Sequence, residues 1–235
     1  MRLNSALGAA TKLMTHPAHS KNVAASLEEL ASDAQRLRRI MIELIAPPGS
    51  PMFPMDFLAF AATKRHTSTT SAFVSAINSW NMVVARSLLR IHIDTSLRFS
   101  AAWHVENPHD FSMEVLKGAR IDKLKARSGD RLMDAHLVKL HTDEHPWLPN
   151  VYERLCGYVH FSGAHITDSI NDLSGGDGTI EFLISDQDNK FPEFSWLEVA
   201  DWFREATGIL ETYLRGWGTA KKLSPEQLKS LRSGA

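Results

Sequence analysis

WLPNVYERLCGYVHFSGAHITDSI, residues 147–170, decides how the chain is read. Pro149 suits a first helical turn, where its missing N–H has no intrahelical partner to lose. Tyr152, Cys156, Val159, Gly163, Ile166 and Ile170 then recur in alternating steps of four and three. That spacing predicts one helix packed lengthwise against partners. Gly163 lies in the seam, where a missing side chain lets another backbone come close. Gly157 lies off it and costs about 1 kcal/mol relative to alanine, which weakens or bends the middle. Glu153, His160 and Thr167, one heptad apart, make a polar shoulder on the same helix.

The neighbouring sequence is also helical. At 22–46, Leu27, Leu30, Ala34, Leu37, Met41, Leu44 and Ile45 line one side, and Pro47, Pro48, Gly49, Pro51 and Pro54 end the run. A brief helix is expected at 55–64, a polar RHTSTTS turn after it, and a long helix at 71–103. That long helix is apolar on several sides, as befits a central position, yet Arg86, Arg90, Asp94 and Arg98 follow one another at four-residue spacing. Asn107, Pro108 and His109 make a turn, a basic stretch fills 117–131, and a short helix is expected at 132–141. TIEFLI at 179–184 reads as a strand, with a second strand at 193–196. An amphipathic helix at 196–213 and a polar tail in which SPEQ at Ser224 caps one last turn close the chain. The expected fold is mainly α, a bundle of five to seven helices with a small β-hairpin before the last long helix. Its expected divisions are N-terminal helices and the Pro/Gly loop at 1–54, a helical core at 55–218 and a flexible tail at 219–235.

The 235 residues are 43% hydrophobic and 23% charged, with a net charge of −1. This balance suits a globular protein and argues against one that coats nucleic acid through overall basicity. One cysteine excludes an intrachain disulfide. No apolar run reaches the roughly 18 residues of a membrane span. Residues 1–20, read as a short helix or loose arm, hold no acidic residue, a transit-peptide trait. The few basic residues there, Arg2 and Lys12 with Lys21 just beyond, favour the cytoplasm instead.

Common catalytic signatures are missing: no phosphate-binding glycine loop, CxxC pair, HExxH or GxSxG. GGDG at 175–178 lacks the lysine and the strand–helix setting such a loop needs. His141 and His145, beside Asp143 and Glu144, have metal-grip spacing, but Pro146 interrupts the local helix and a solvated loop is the alternative. No metal and no cofactor is therefore expected. Cys156, on the apolar seam, is expected to pack.

The sharpest constellation is RLCGYVH, in which Arg154 is followed by five residues and His160. It resembles the R-x4–6-H signature of the HEPN superfamily, helical bundles that include metal-independent endoribonucleases of toxin–antitoxin and antiphage systems. VARSLLRIHIDTSLRF at 84–99 followed by VYERLCGYVHFSGAHI at 151–166 is similar to bacterial families related to those bundles. The similarity in element order covers roughly residues 70–215, and Leu155 departs from the polar residue that catalytic members place after the arginine. The resemblance implies a cytoplasmic protein of the defence or toxin class and a homodimer, with RNA or a nucleotide as substrate and an antitoxin or other protein as partner. It also implies that His160 moves protons at the ribose 2′-hydroxyl or leaving 5′-oxygen, and that Arg154 neutralises the scissile phosphate. Arg90, Asp94, Lys117, Arg120, Lys123 and Lys125 are the expected substrate-binding residues, the basic ones receiving neighbouring phosphates.

On an ideal helix Arg154 and His160 diverge by about 120°, so convergence requires a bend near Gly157. The alternative reading is a non-catalytic helical module that binds a nucleotide, small anion or partner protein. In it Arg90, Asp94, Arg154 and His160 form the binding cluster, with Arg154 and His160 buried or tied to Asp94 or Glu153; in a purely structural role His160 instead bonds a partner on the Arg90/Asp94 helix and Arg154 pairs with a surface carboxylate.

Overall fold

The computed structural model describes residues 18–172 and 180–223. Most of the arm expected at 1–20, the LSGGDGT loop and the SPEQ cap lie outside these residues. Among the described residues there are eight α-helices and one two-stranded sheet, a mainly α fold with a small hairpin before the last long helix. None of these helices is long and apolar enough to cross a membrane.

Helix α1, Lys21–Arg39, begins where the Ser20 hydroxyl accepts from Val23 N. It buries Val23, Leu27, Leu30, Ala34 and Leu37, then widens into a π-helix at Ile40–Ile45. Helix α2, Pro54–Asn78, starts with the Asp56 carboxylate accepting from Phe53 N at 2.8 Å. It runs straight through the RHTSTTS segment expected to turn. Thr67, Thr69, Thr70 and Ser75 each donate to the carbonyl four residues back, at 2.8–2.9 Å. These hydroxyls satisfy themselves inside the helix, which is why a polar run does not end it.

The helix expected at 71–103 is interrupted instead at residues 79–81, where Trp80 adopts φ +57°. Asn81 accepts from Val84 N, and Asp188 accepts from Met82 N at 2.8 Å, so helix α3, Met82–Ser100, has its own capped start. A 3-10 turn at Ala101–Trp103 and helix α4, Pro108–Leu116, follow. Next come α5, Asp134–His141, and α6, Leu148–Val159.

The single helix expected over 147–170 is two. After α6 the chain extends through His160 (φ −106°, ψ 137°), and α7, Gly163–Ser169, restarts under a Ser162 cap. The Ser162 hydroxyl also donates to Gly157 O at 2.8 Å and sits 3.0 Å from where a Cβ on Gly157 would stand. The glycine that was expected to bend the helix instead receives the returning chain. Strand β1, Ile170–Asp172, pairs antiparallel with β2, Glu181–Phe182. The second strand expected at 193–196 is the first turn of α8, Glu193–Ala220, where the Glu193 carboxylate accepts from Ser20 and Asn22 and ties the starts of α1 and α8 together.

Helix α8 is 28 residues long, about 42 Å. It packs beside α1 and α3, while α2 runs antiparallel to it, so that Asp56 at the start of α2 meets Lys221 after the end of α8. The close approach of α8 to the π-helix needs Gly218, because a Cβ there would stand 2.5 Å from the Leu44 side chain. One continuous core runs from Val23 to Trp217.

Two histidines sit in that core. His66 and His92 are fully buried, with ring centroids 4.8 Å apart; His92 bonds Thr207 at 2.9 Å, and neither nitrogen of His66 has a hydrogen-bond partner among the described residues. Burial, with Arg36 nearby, pushes the His66 imidazole down to about 4, and burial beside His66 holds His92 well below its ordinary value. Both rings are neutral in the fold, whereas the unfolded chain protonates them near 6.5. Unfolding therefore takes up protons below that pH. Stability should be complete above about 6.5 and fall as the pH drops towards 4, by up to about 1.4 kcal/mol per pH unit for each ring. Urea unfolding at stepped pH will measure this slope. His66→Leu should flatten it, and an unchanged slope in that variant would assign the acid sensitivity elsewhere.

Candidate functional site

Helix α3 buries its apolar face against α2 and α8 and turns its charged row toward α5, α6 and α7. The row is paired throughout. Arg98 bonds Asp94 at 2.6 Å and also Asp134; Arg90 bonds Asp134 at 3.1 Å and the Tyr152 hydroxyl, with its guanidinium 3.8 Å from the Tyr152 ring centre. Arg90 and Asp94 face each other at 3.8 Å, and Arg65 of α2 reaches Asp94 at the same distance. At the other end Arg86 lies between the Tyr158 and Phe191 rings, donates to the Tyr158 hydroxyl and faces Asp168 at 3.3 Å. Burial is the largest influence raising the Tyr152 and Tyr158 phenols, reinforced by Asp134 and Asp168 respectively. Both therefore remain protonated partners for the arginines.

The expected substrate-binding residues fall into two groups. Arg90 and Asp94 are mostly buried in this ladder, with 13% and 18% of their side chains exposed. Lys117, Arg120, Lys123 and Lys125 are exposed on the turn after α4. Lys117 pairs with Glu114, and Arg120 grips Asp122 through two bonds of 3.0 and 2.7 Å. The turn itself is closed by the Lys125–Arg131 bridge and by Gly129 at φ +91°. It lies near the Arg98 end of α3, since Asp122 acts electrostatically on Arg98. The end of α6 lies at the Arg86 end, twelve residues or about 18 Å away along the axis. The basic turn and the α6 end are thus separate regions of one face.

Arg154 and His160 are both exposed. Arg154 lies 5.4 Å from the centre of the Trp202 ring on α8, and no carboxylate pairs with it among the described residues. His160 stands just beyond α6, its backbone N–H donating to Cys156 O at 3.1 Å. Its ring has no hydrogen bond, ion pair or ring contact among the described residues, so the bond to the Arg90/Asp94 helix expected of a structural histidine is not made. His165 returns beside them, stacked on Phe161 and edge-on to Tyr158. Trp202 carries no local motif and was not singled out in the sequence; only the packing of α8 brings it beneath Arg154.

His141 does not lie in a solvated loop. It is buried in the last turn of α5, its Nδ1–H donating to Leu137 O at 2.8 Å, with the rings of His104, His145 and Tyr213 around it. Burial lowers both His104 and His141, and each also feels a neighbouring histidine. Among the described residues, no three His, Cys, Asp or Glu side chains are arranged to hold a metal ion. Comparison with protein-family models, curated proteins and solved structures finds no match.

Asp94→Ala would leave Arg90 and Arg98 with one carboxylate between them in a mostly buried site. Urea unfolding should show a loss of about 2 kcal/mol, less than for a fully buried pair because solvent screens this one in part. Arg120→Ala, on the exposed turn, should leave the unfolding midpoint where it was. Equal effects of the two substitutions would contradict the structural role given to the ladder.

Proposed function

We propose that this chain is a metal-independent endoribonuclease of the HEPN kind, with its site at the end of α6. The observation that carries this reading is the state of the two side chains there. Among the described residues His160 is open to solvent and unpaired where helix α6 ends, and Arg154 is propped on an aromatic ring without a neutralising carboxylate. An arginine placed in this way keeps its planar fork available for phosphate oxygens. The half-buried Trp202 ring offers an apolar surface beside it.

In the proposed reaction the His160 imidazole takes the proton of a ribose 2′-hydroxyl. The 2′-oxygen forms a bond to phosphorus, and the bond from phosphorus to the 5′-oxygen breaks. The leaving oxygen recovers a proton from an imidazolium or from water, which leaves a 2′,3′-cyclic phosphate and a 5′-hydroxyl. Arg154 stabilises the charge gathered on the non-bridging oxygens. The exposed Lys123 and Lys125 are available to phosphates farther along the strand.

Val159, Phe161 and Ile166, exposed by 48%, 88% and 55%, follow one another at the end of α6 and on α7. Exposed apolar side chains concentrated in one region mark an interaction surface. In this reading a second copy covers them, with an antitoxin or another protein as the regulatory partner.

The test is cleavage of mixed-sequence single-stranded RNA in excess chelator by the wild type, His160→Ala and Arg154→Ala. Both side chains are exposed, so the variants should unfold at the wild-type midpoint. The wild type should produce cyclic phosphate ends, and each variant should lose about a hundredfold or more in rate. Cleavage that survives both substitutions, or a wild type inert as monomer and as dimer, would overturn the proposal.

A further inference from the structure

A cavity of about 690 Å³ opens where the end of α8 meets the starts of α2 and α4. It lies beside Trp217, fifteen residues or about 22 Å along α8 from the Trp202 that carries Arg154. Its size is that of a small-molecule site, and its walls have the composition such sites favour. Trp217, Phe53, His109 and Trp103 supply ring surfaces. The His109 ring is 5.4 Å from Trp217 and 5.7 Å from Phe53, and Trp103 is braced edge-on by Phe99 and Tyr213.

The aromatic wall is held rigidly. Asp56, fully buried, accepts from Trp217 Nε1 at 2.7 Å and from Lys221 Nζ at 2.9 and 3.0 Å. Lys221 donates further to Ile45 O and Pro51 O, and its ammonium lies 5.4 Å from the Phe53 ring centre and 5.9 Å from that of Trp217. A buried ion pair contributes little net stability, but it fixes geometry. Here it sets the angle of the indole and closes the bottom of the cavity.

The formal charges at the lining balance, but one of them is a guanidinium outside any ion pair among the described residues. Arg127 at the rim donates from one nitrogen to Val105 O at 3.0 Å and to Trp103 O at 3.5 Å, and has no carboxylate partner among the described residues. At the start of α4 the Asn107 side chain accepts from the His109 and Asp110 N–H groups, and the Asp110 carboxylate offsets the positive end of the helix dipole. His109 contributes its ring to the lining, while its Nδ1 is buried with no hydrogen-bond partner among the described residues. Against Arg127 stands Glu106, exposed on the rim; Asp56 is neutralised by Lys221.

We propose that this cavity binds a small planar aromatic anion. The flat ring lies among the Trp217, Phe53 and Trp103 surfaces, and its carboxylate or sulfonate meets the Arg127 fork. Such a ligand matches both features of the lining, ring faces and a guanidinium without a carboxylate partner among the described residues. This site is independent of the ribonuclease reading.

The test uses 2-naphthoate, its neutral isostere 2-naphthamide and the cationic 2-naphthylmethylamine, titrated into the full chain by calorimetry and by ¹H–¹⁵N spectra of the indole N–H groups. The naphthoate should bind, moving the Trp103 and Trp217 signals and leaving Trp147 and Trp202 in place. The amide should bind at least tenfold more weakly and the amine more weakly still. Arg127→Gln should weaken the naphthoate at least tenfold. Glu106→Gln, which removes the opposing charge without touching the walls, should tighten it about threefold. Equal binding of acid and amide, preference for the amine, weaker naphthoate binding to Glu106→Gln, or no indole shift at millimolar naphthoate would each overturn the proposal.

Discussion

Helix α3 must be covered on both sides although one side carries four charges. Its apolar face is closed by α2 and α8, and the rest of the bundle depends on how the other face is covered. Burying Arg86, Arg90 and Arg98 unpaired would cost more than the packing around them could return. The solution is an alternation of cations with Asp94, Asp134 and Asp168, with the tyrosines of α6 laid over the arginines. Helices α5, α6 and α7 are thereby positioned by polar contacts as well as by the burial of Leu148, Val151 and Leu155. The same pairing withdraws Arg90 and Asp94 from solvent.

The end of α6 follows from that arrangement. Tyr152 and Tyr158 are engaged with α3, and Ser162 folds back onto Gly157, so the chain cannot continue as one helix beyond Val159. His160 is left in extended backbone outside the bundle. Arg154, on a different side of the same helix, leans onto α8 instead of into the ladder. At the far end of α8, the buried Asp56–Lys221 pair orients Trp217 and holds a cavity open between elements that are distant in sequence.

Periodicity identified most of the helices. The seams of α1 and α8 were legible because one face of each is apolar at helical spacing. The threonine-rich part of α2 was not, because hydroxyls that bond back to their own helix look in the sequence like turn formers. The break at Trp80 was also hidden. Asn81 caps α3 locally, but Asp188, which completes the cap, is more than a hundred residues away. Strand β1 was concealed within an apolar run whose spacing suits a helix equally well, and only pairing with β2 separates the two.

Residue order alone determined the helical class, the four-residue charge row of α3, and the six-residue spacing of an arginine and a histidine around the end of α6. These are local properties, set by side-chain spacing along a single element. Tertiary structure decided that Arg90 and Asp94 are closed within an interface, that the His160 ring has no partner among the described residues, that Arg154 rests on Trp202, and that Phe53, Trp103, His109 and Trp217 face one cavity. Each of those outcomes depends on which distant segment arrives to pair with, cover or leave a given side chain. Spacing along the chain carries no information about that until the helices are packed.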